Sequence, residues 1–133
     1  MLSIFKKKKK KVLLVDDDQK ILKMYDQLLN QNNDIFEVIT SSKKSDFLTH
    51  IHDVDMVVSD FHMDGSGLRF EYVLDLCESN KTPLLLISGD IYPYYDHQLS
   101  KPVSSKKLKS EIERMLSRGY VPSKRRPPRK ISA

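Results

Sequence analysis

Three aspartates, a serine and a lysine hold the positions where this sequence can do chemistry. Asp16 and Asp17 follow the apolar run Val12–Val15, Asp60 follows Met56–Ser59, and Ser88 follows Leu84–Ile87. Lys101 follows the short stretch Gln98-Leu99 and precedes Pro102. Carboxylates gathered at one place repel one another, so they either raise a pKa or hold a cation. Oxygen-only donors point to Mg2+, which takes octahedral oxygen coordination and keeps several waters. Asp17 and Asp60 are the carboxylate ligands expected on this reading. With the charge neutralised by the ion and Lys101, Asp60 is suited to act as a carboxylate nucleophile and form an aspartyl phosphate, whose oxygen Ser88 would hydrogen-bond. Taken singly, each piece reads as ordinary structure: a capped helix start, a Ser-Asp turn, a Lys-Pro pair. Their shared position at the ends of strands is what turns the reading toward chemistry.

The elements that must position these residues are short apolar runs alternating with amphipathic stretches, the pattern of a parallel sheet with crossover helices. Strands are expected at Val12–Val15, Phe36–Ile39, Met56–Ser59, Leu84–Ile87 and, weakly, Gln98-Leu99. The first, third and fourth are nearly continuous in apolar residues, as for strands covered on both faces. Asp18 caps a helix whose stripe is Ile21, Leu22, Tyr25, Leu28 and Leu29. Further helices are expected through Phe47, Leu48 and Ile51, through Phe70, Val73, Leu76 and Cys77, and through Leu108, Ile112, Met115 and Leu116. The fold class is therefore α/β, a doubly wound five-stranded parallel sheet. Gly119, Pro122, Pro127 and Pro128 then break regularity in a basic run that reads as a mobile tail.

The 133 residues suffice for one domain plus tails. The boundaries expected are a basic N-terminal extension over residues 1–9, a folded domain over 10–118 and a basic, disordered tail over 119–133. The net charge of +5 conceals an uneven distribution: Lys6 to Lys11 supply six positive charges, and Lys124, Arg125, Arg126, Arg129 and Lys130 supply five. Without those eleven, 12 basic residues face 18 acidic ones, so the folded part is acidic and is not itself a nucleic-acid-binding fold. The single Cys77 forms no internal disulfide and reads as a buried structural thiol. The apolar residues Leu2, Ile4 and Phe5 precede the lysines, the reverse of a secretory signal. They bury too little to be a stable membrane anchor, and a cytoplasmic location is expected. His50, His52 and His97 lack metal-ligand spacing and read as surface residues.

The stretches Lys11–Asp18, Val57–Met63, Leu86–Gly89 and Ser100–Val103, taken together, resemble the response-regulator receiver family of two-component signalling, over roughly Lys10 to Arg118. The resemblance implies the flavodoxin-like strand order 2-1-3-4-5. It implies Asp60 as phosphoacceptor, Asp16 and Asp17 as the acid pair, and the His62 backbone carbonyl as a further Mg2+ ligand. Ser88 takes the switch position and Lys101 that of the phosphate-binding lysine. The donor it implies is a sensor histidine kinase or a histidine phosphotransfer protein, with catalysis confined to the chain's own phosphorylation and dephosphorylation. His62 and Asp90 occupy positions that influence hydrolysis in the family.

The sequence departs from that pattern in two places. The loop after Asp60 carries Asp64, Gly65 and Gly67 and is one residue short; Asp64 reads as a solvated turn residue. Only twelve residues separate Ser88 from Lys101, and Pro93 lies among them, so the family's fourth helix must be shortened or missing. Tyr92, Tyr94 and Tyr95 are expected to cover the sheet edge instead. Gln98 stands where the family has an aromatic that follows the switch serine or threonine. The favoured function is a stand-alone, phosphorylatable receiver acting on an output protein that the sequence does not identify. The alternatives are a receiver-like module that no longer switches and a regulator whose basic tail binds nucleic acid, the latter not preferred over a solvated tail. A metal phosphatase using Asp60 would need a substrate-binding cap for which the chain has no room.

Overall fold

Val12, Leu14, Val58, Leu85 and Ile87 alternate with Leu13, Val15, Val57, Leu84 and Leu86 along three strands, and every one of them is buried. Successive strand residues point to opposite faces, so continuous apolar runs demand cover on both sides. The computed structural model, which describes residues 8–123, provides that cover. The strands are β1 (Lys10–Val15), β2 (Phe36–Ser41), β3 (Met56–Asp60), β4 (Leu84–Ser88) and β5 (Gln98–Ser100). The helices are α1 (Gln19–Asn30), α2 (Lys44–His50), α3 (Phe70–Asn80) and α4 (Ser105–Arg118). All four strand pairings are parallel, in the order β2-β1-β3-β4-β5. This is the doubly wound sheet expected, with α4 as the last helix and no helix between β4 and β5 among the described residues.

One face of the sheet packs Leu13, Val15, Val57 and Leu86 against Phe47, Phe70, Val73 and Cys77. The other packs Leu14, Val58, Leu85 and Ile87 against Leu22, Leu29, Leu108 and Ile112 from α1 and α4. Asp18 caps α1 by accepting from the Lys20 and Ile21 N–H groups at 3.0 and 3.3 Å, and Ser104 caps α4 by accepting from Lys107 N–H at 3.1 Å. Two expected core positions face water: Leu28 is 45% exposed and Leu48 is 40% exposed. Their neighbours Leu29 and Phe47 are fully buried, so each amphipathic stripe is narrower than its apolar residues suggest. Ile51 is buried but leaves α2 for a 3-10 turn, Ile51–Asp53.

After α4, residues Gly119 to Ser123 run beside Leu74, Cys77, Tyr95 and His97, and Ser123 Oγ donates to Asp96 Oδ1 at 3.0 Å. The tail from 124 onward and the extension over 1–7 lie outside the described residues. No described helix is long and apolar enough to cross a membrane.

Candidate functional site

Register delivers the acidic residues to one place. Val15 pairs with Ser59, so the residues that follow each, Asp16 and Asp60, emerge side by side from β1 and β3. Asp17 turns toward them at the start of the α1 cap. Carboxylate oxygens of Asp16, Asp17 and Asp60 lie within 4.8 Å of one another. On the other side of Asp60, Ser88 pairs with Ser100 across β4 and β5, and Lys101 N–H donates to the Ser88 carbonyl at 2.8 Å. That register brings Lys101 Nζ to 2.8 Å from Asp60 Oδ1. The Lys101–Pro102 peptide bond is cis.

Burial decides the electrostatics here. Asp16 and Asp60 are each only 8% exposed. Burial pushes the Asp16 carboxyl up to about 6, with the Asp60 charge and the Asp17 carboxyl adding to the rise, against the opposing Asp18 N–H and the Lys101 charge. For Lys101, burial alone would lower the pKa, but the hydrogen bond to Asp60 and the charges of Asp60 and Asp16 outweigh it and raise it. Lys101 is therefore held as a cation. One cation against three clustered carboxylates leaves negative charge uncompensated. The donor set, oxygen only, fits a hard divalent ion such as Mg2+.

The loop after β3 completes the cluster's surroundings. Gly65 N–H donates to Asp17 Oδ2 at 3.0 Å, and a Cβ at Gly65 would stand 3.3 Å from that same oxygen. Gly67 sits at φ +79°, which favours glycine. Asp64 is exposed within a 3-10 turn, Asp64–Ser66, and is not among the clustered acids. The His62 ring is exposed and meets the edge of Phe61. Beside the acids opens a groove of about 560 Å³ lined by Ile21, Met24 and Tyr25 of α1, with Asp60, Lys101 and Val103 also on its wall.

No protein-family model and no curated relative matches the sequence. Solved structures do match its fold. A signal receiver domain of a putative Luxo repressor protein from Vibrio parahaemolyticus is 18% identical with a TM-score of 0.71, over 84% of this chain and 92% of that one. A response regulator receiver domain protein from Methanospirillum hungatei is 19% identical with a TM-score of 0.71, over 84% and 96%. The receiver domain of the Francisella response regulator 1452 is 23% identical with a TM-score of 0.70, over 82% and 98%. This chain has the receiver fold.

The β4–β5 crossover, which holds no helix among the described residues, is packed by its own side chains. Tyr95 is buried and its hydroxyl donates to the Leu84 carbonyl at 2.5 Å. Tyr92 packs on Phe61 and Phe70 at ring separations of 4.8 and 5.7 Å, while Tyr94 is 41% exposed. The three tyrosines thus divide between core and surface. Ser88 Oγ donates to the Asp90 carbonyl. His97, expected at the surface, is half-buried because its ring packs on that of the buried Tyr95 at 5.5 Å, with Nε2 3.6 Å from Asp96 Oδ1. Gln98 is more than a missing aromatic: its amide bonds the backbone of Tyr92 and Tyr95. Sequence reasoning missed this, and also missed Gly65 N–H on Asp17 and the Tyr25 hydroxyl donating to the Val103 carbonyl at 3.0 Å. The glycine is the only one of the three that carried a signal, through its place just after Asp60.

Proposed function

We propose that this chain is a phosphorylation-controlled receiver of two-component signalling, in which Asp60 accepts a phosphoryl group from the phosphohistidine of a histidine kinase or histidine phosphotransfer protein. The observation that carries the reading is Asp60 itself: a buried carboxylate paired at 2.8 Å with the Lys101 ammonium and clustered with Asp16 and Asp17. An Asp60 carboxylate oxygen attacks phosphorus, forming a P–O bond. The P–N bond to the donor imidazole breaks, and its electron pair stays on the leaving nitrogen, which takes a proton from solvent. Water attack on phosphorus later returns the Asp60 carboxylate and releases inorganic phosphate.

Asp16, Asp17, Asp60 and the His62 backbone carbonyl would hold Mg2+, which when bound offsets the charge on the transferring phosphoryl oxygens. Lys101 orients Asp60 and supplies further donors on the same side. Ser88 is the hydroxyl available to a phosphoryl oxygen once it gives up the Asp90 carbonyl. The groove beside α1 is largely apolar and opens onto Asp60 and Lys101, so the donor would dock there. The chain turns over no separate substrate, acts in the cytoplasm and passes its signal to a partner protein.

Incubation with a small-molecule phosphodonor and Mg2+, followed by intact-mass measurement, tests the reading. One phosphoryl mass is expected on the native chain, none on Asp60→Asn, and beryllofluoride should bind the native chain only with Mg2+ present. A native chain that gains no mass and binds no beryllofluoride would instead be a receiver-like module that does not switch.

A further inference from the structure

The surface between α3 and the β4–β5 crossover is aromatic and acidic at once. Tyr92 packs against Phe61 and Tyr94 at ring separations of 4.8 and 5.6 Å. Tyr94 is exposed, and Ile91 before it is 70% exposed. Along α3, Glu71, Asp75 and Glu78 recur at i, i+4 and i+7, which places them on one face of the helix. Both ends of that face meet the crossover. Burial and then the Glu71 charge raise the pKa of the Tyr92 hydroxyl. Burial, followed by the charges of Cys77, Asp96 and Glu78, raises that of Tyr95. Asp90 and Asp96 add two carboxylates from the crossover itself.

The chain itself returns to this surface. After α4, Tyr120, Val121 and Ser123 line one cleft with Glu78, Tyr95 and His97, and Ser123 Oγ donates to Asp96 Oδ1 at 3.0 Å. Among the described residues, Arg118 is the one lysine or arginine lining that cleft. The next seven residues, Lys124–Lys130, carry five cations and the adjacent Pro127 and Pro128. They match in number the five acids Glu71, Asp75, Glu78, Asp90 and Asp96. The two prolines lie four and five residues past Ser123, an extended reach of about 13 to 18 Å. Tyr92 is four residues from Asp96, at most about 14 Å away by the same measure. Prolines pack on aromatic faces in peptide recognition, and arginine forks pair with carboxylates. Tethering adds an effective concentration on the order of mM.

We propose that this face is the docking site of the chain's own segment Lys124–Lys130, with Pro127 and Pro128 against Tyr92 and Tyr94 and the basic side chains along Glu71, Asp75 and Asp90. The contact is intramolecular because Ser123, the residue before the segment, is already held to the crossover at Asp96. Docking covers Tyr92, which packs on Phe61 next to the candidate phosphoacceptor, so an outside partner for this face must displace the segment. It needs no phosphoryl group on Asp60 and stands or falls apart from that reading.

A nitroxide attached at Ser132→Cys in the full chain, read by amide NMR, tests the site. Cys77 is buried with its pKa pushed up, so the introduced thiol is the one that labels. The Glu71, Asp75, Asp90 and Tyr94 amide signals should lose most of their intensity, while those of Lys20 and Lys23 on α1 keep theirs. Intensity should return at about 1 M salt, where the screening length is about 3 Å. It should also return when Arg125→Glu, Arg126→Glu and Arg129→Glu are combined, and adding Glu71→Lys and Asp75→Lys to that variant should bring the loss back. The salt series needs none of these reversals and decides the matter if a reversed variant fails to fold. Uniform weak loss over the whole domain, or loss confined to another face, overturns the site. Loss that survives both salt and charge reversal overturns the charge-matched docking. A spin-labelled chain mixed with an isotope-enriched chain carrying no spin label should leave the enriched signals intact. Loss in that mixture assigns the face to a second copy and overturns the intramolecular contact.

Discussion

Replacing Asp16 with asparagine should stabilise the metal-free protein at neutral pH. The Asp16 carboxyl is raised from 3.8 to about 6, chiefly by burial and then by the Asp60 charge. An acid whose folded pKa exceeds its unfolded one binds its proton more tightly in the native state. Its stabilising contribution is therefore complete below about pH 4 and is lost as the pH rises through about 6. The difference between 3.8 and about 6 corresponds to about 3 kcal/mol, at roughly 1.4 kcal/mol per pKa unit. Water in the groove beside the site screens this, so about 1 to 2 kcal/mol is expected. Asparagine removes the charge but keeps the oxygen that accepts from Asp18 N–H at 3.0 Å. Urea unfolding of both proteins in EDTA, at pH values from 4 to about 8, measures the difference. Asp16→Asn should be the more stable at about pH 7.5, with the gap closing by about pH 4. Mg2+ should stabilise the wild type more than the variant and narrow or reverse the gap. A variant no more stable than wild type in EDTA at neutral pH, with no pH dependence of the difference, refutes the account of the cluster as strained by its own charge.

Gly65→Ala places a Cβ 3.3 Å from Asp17 Oδ2 and disturbs the N–H that holds it, so Mg2+ affinity should fall several-fold; with six tyrosines and no tryptophan in the chain, tyrosine fluorescence can follow the titration. Tyr95→Phe strips the Leu84 carbonyl of its buried donor and should cost about 1 to 3 kcal/mol in urea unfolding, with the crossover amides losing protection first. Leu29→Ala should cost about 2 to 5 kcal/mol, because its side chain is fully buried. Leu28→Ala should stay within about 0.5 kcal/mol, its side chain being 45% exposed; equal costs for these two neighbours would overturn the assignment of the α1 face.

The parallel sheet was legible because Val12–Val15, Met56–Ser59 and Leu84–Ile87 are apolar on both alternating sets, a pattern that satisfies only strands buried on two faces. Asp18 announced the start of α1 by residue type alone, whereas the Ser104 cap of α4 emerged only with the structure. The candidate site was legible for the same reason: once the strands are placed, the residues following them must meet at one edge, as Asp16, Asp60 and Lys101 do. Leu28 and Leu48 were misread because helical spacing marks a stripe but not its width, which is set by how neighbouring elements pack.

The shortening between Ser88 and Lys101 was plain in the residue count, and the missing helix follows from chain length. What holds the segment in the helix's absence does not follow. Gln98 bonds residues six and three positions before it, and Tyr95 reaches Leu84 eleven positions back, through a turn whose path depends on Phe61 and Phe70 beneath it. The sequence by itself determined the sheet, its covered faces and the meeting of the acids with the lysine, because periodicity and strand ends are properties of local chain geometry. Only the tertiary structure decided where the Ser88 proton and the Gln98 amide are directed, because a polar side chain takes its partner from whatever unpaired backbone the completed packing leaves within reach.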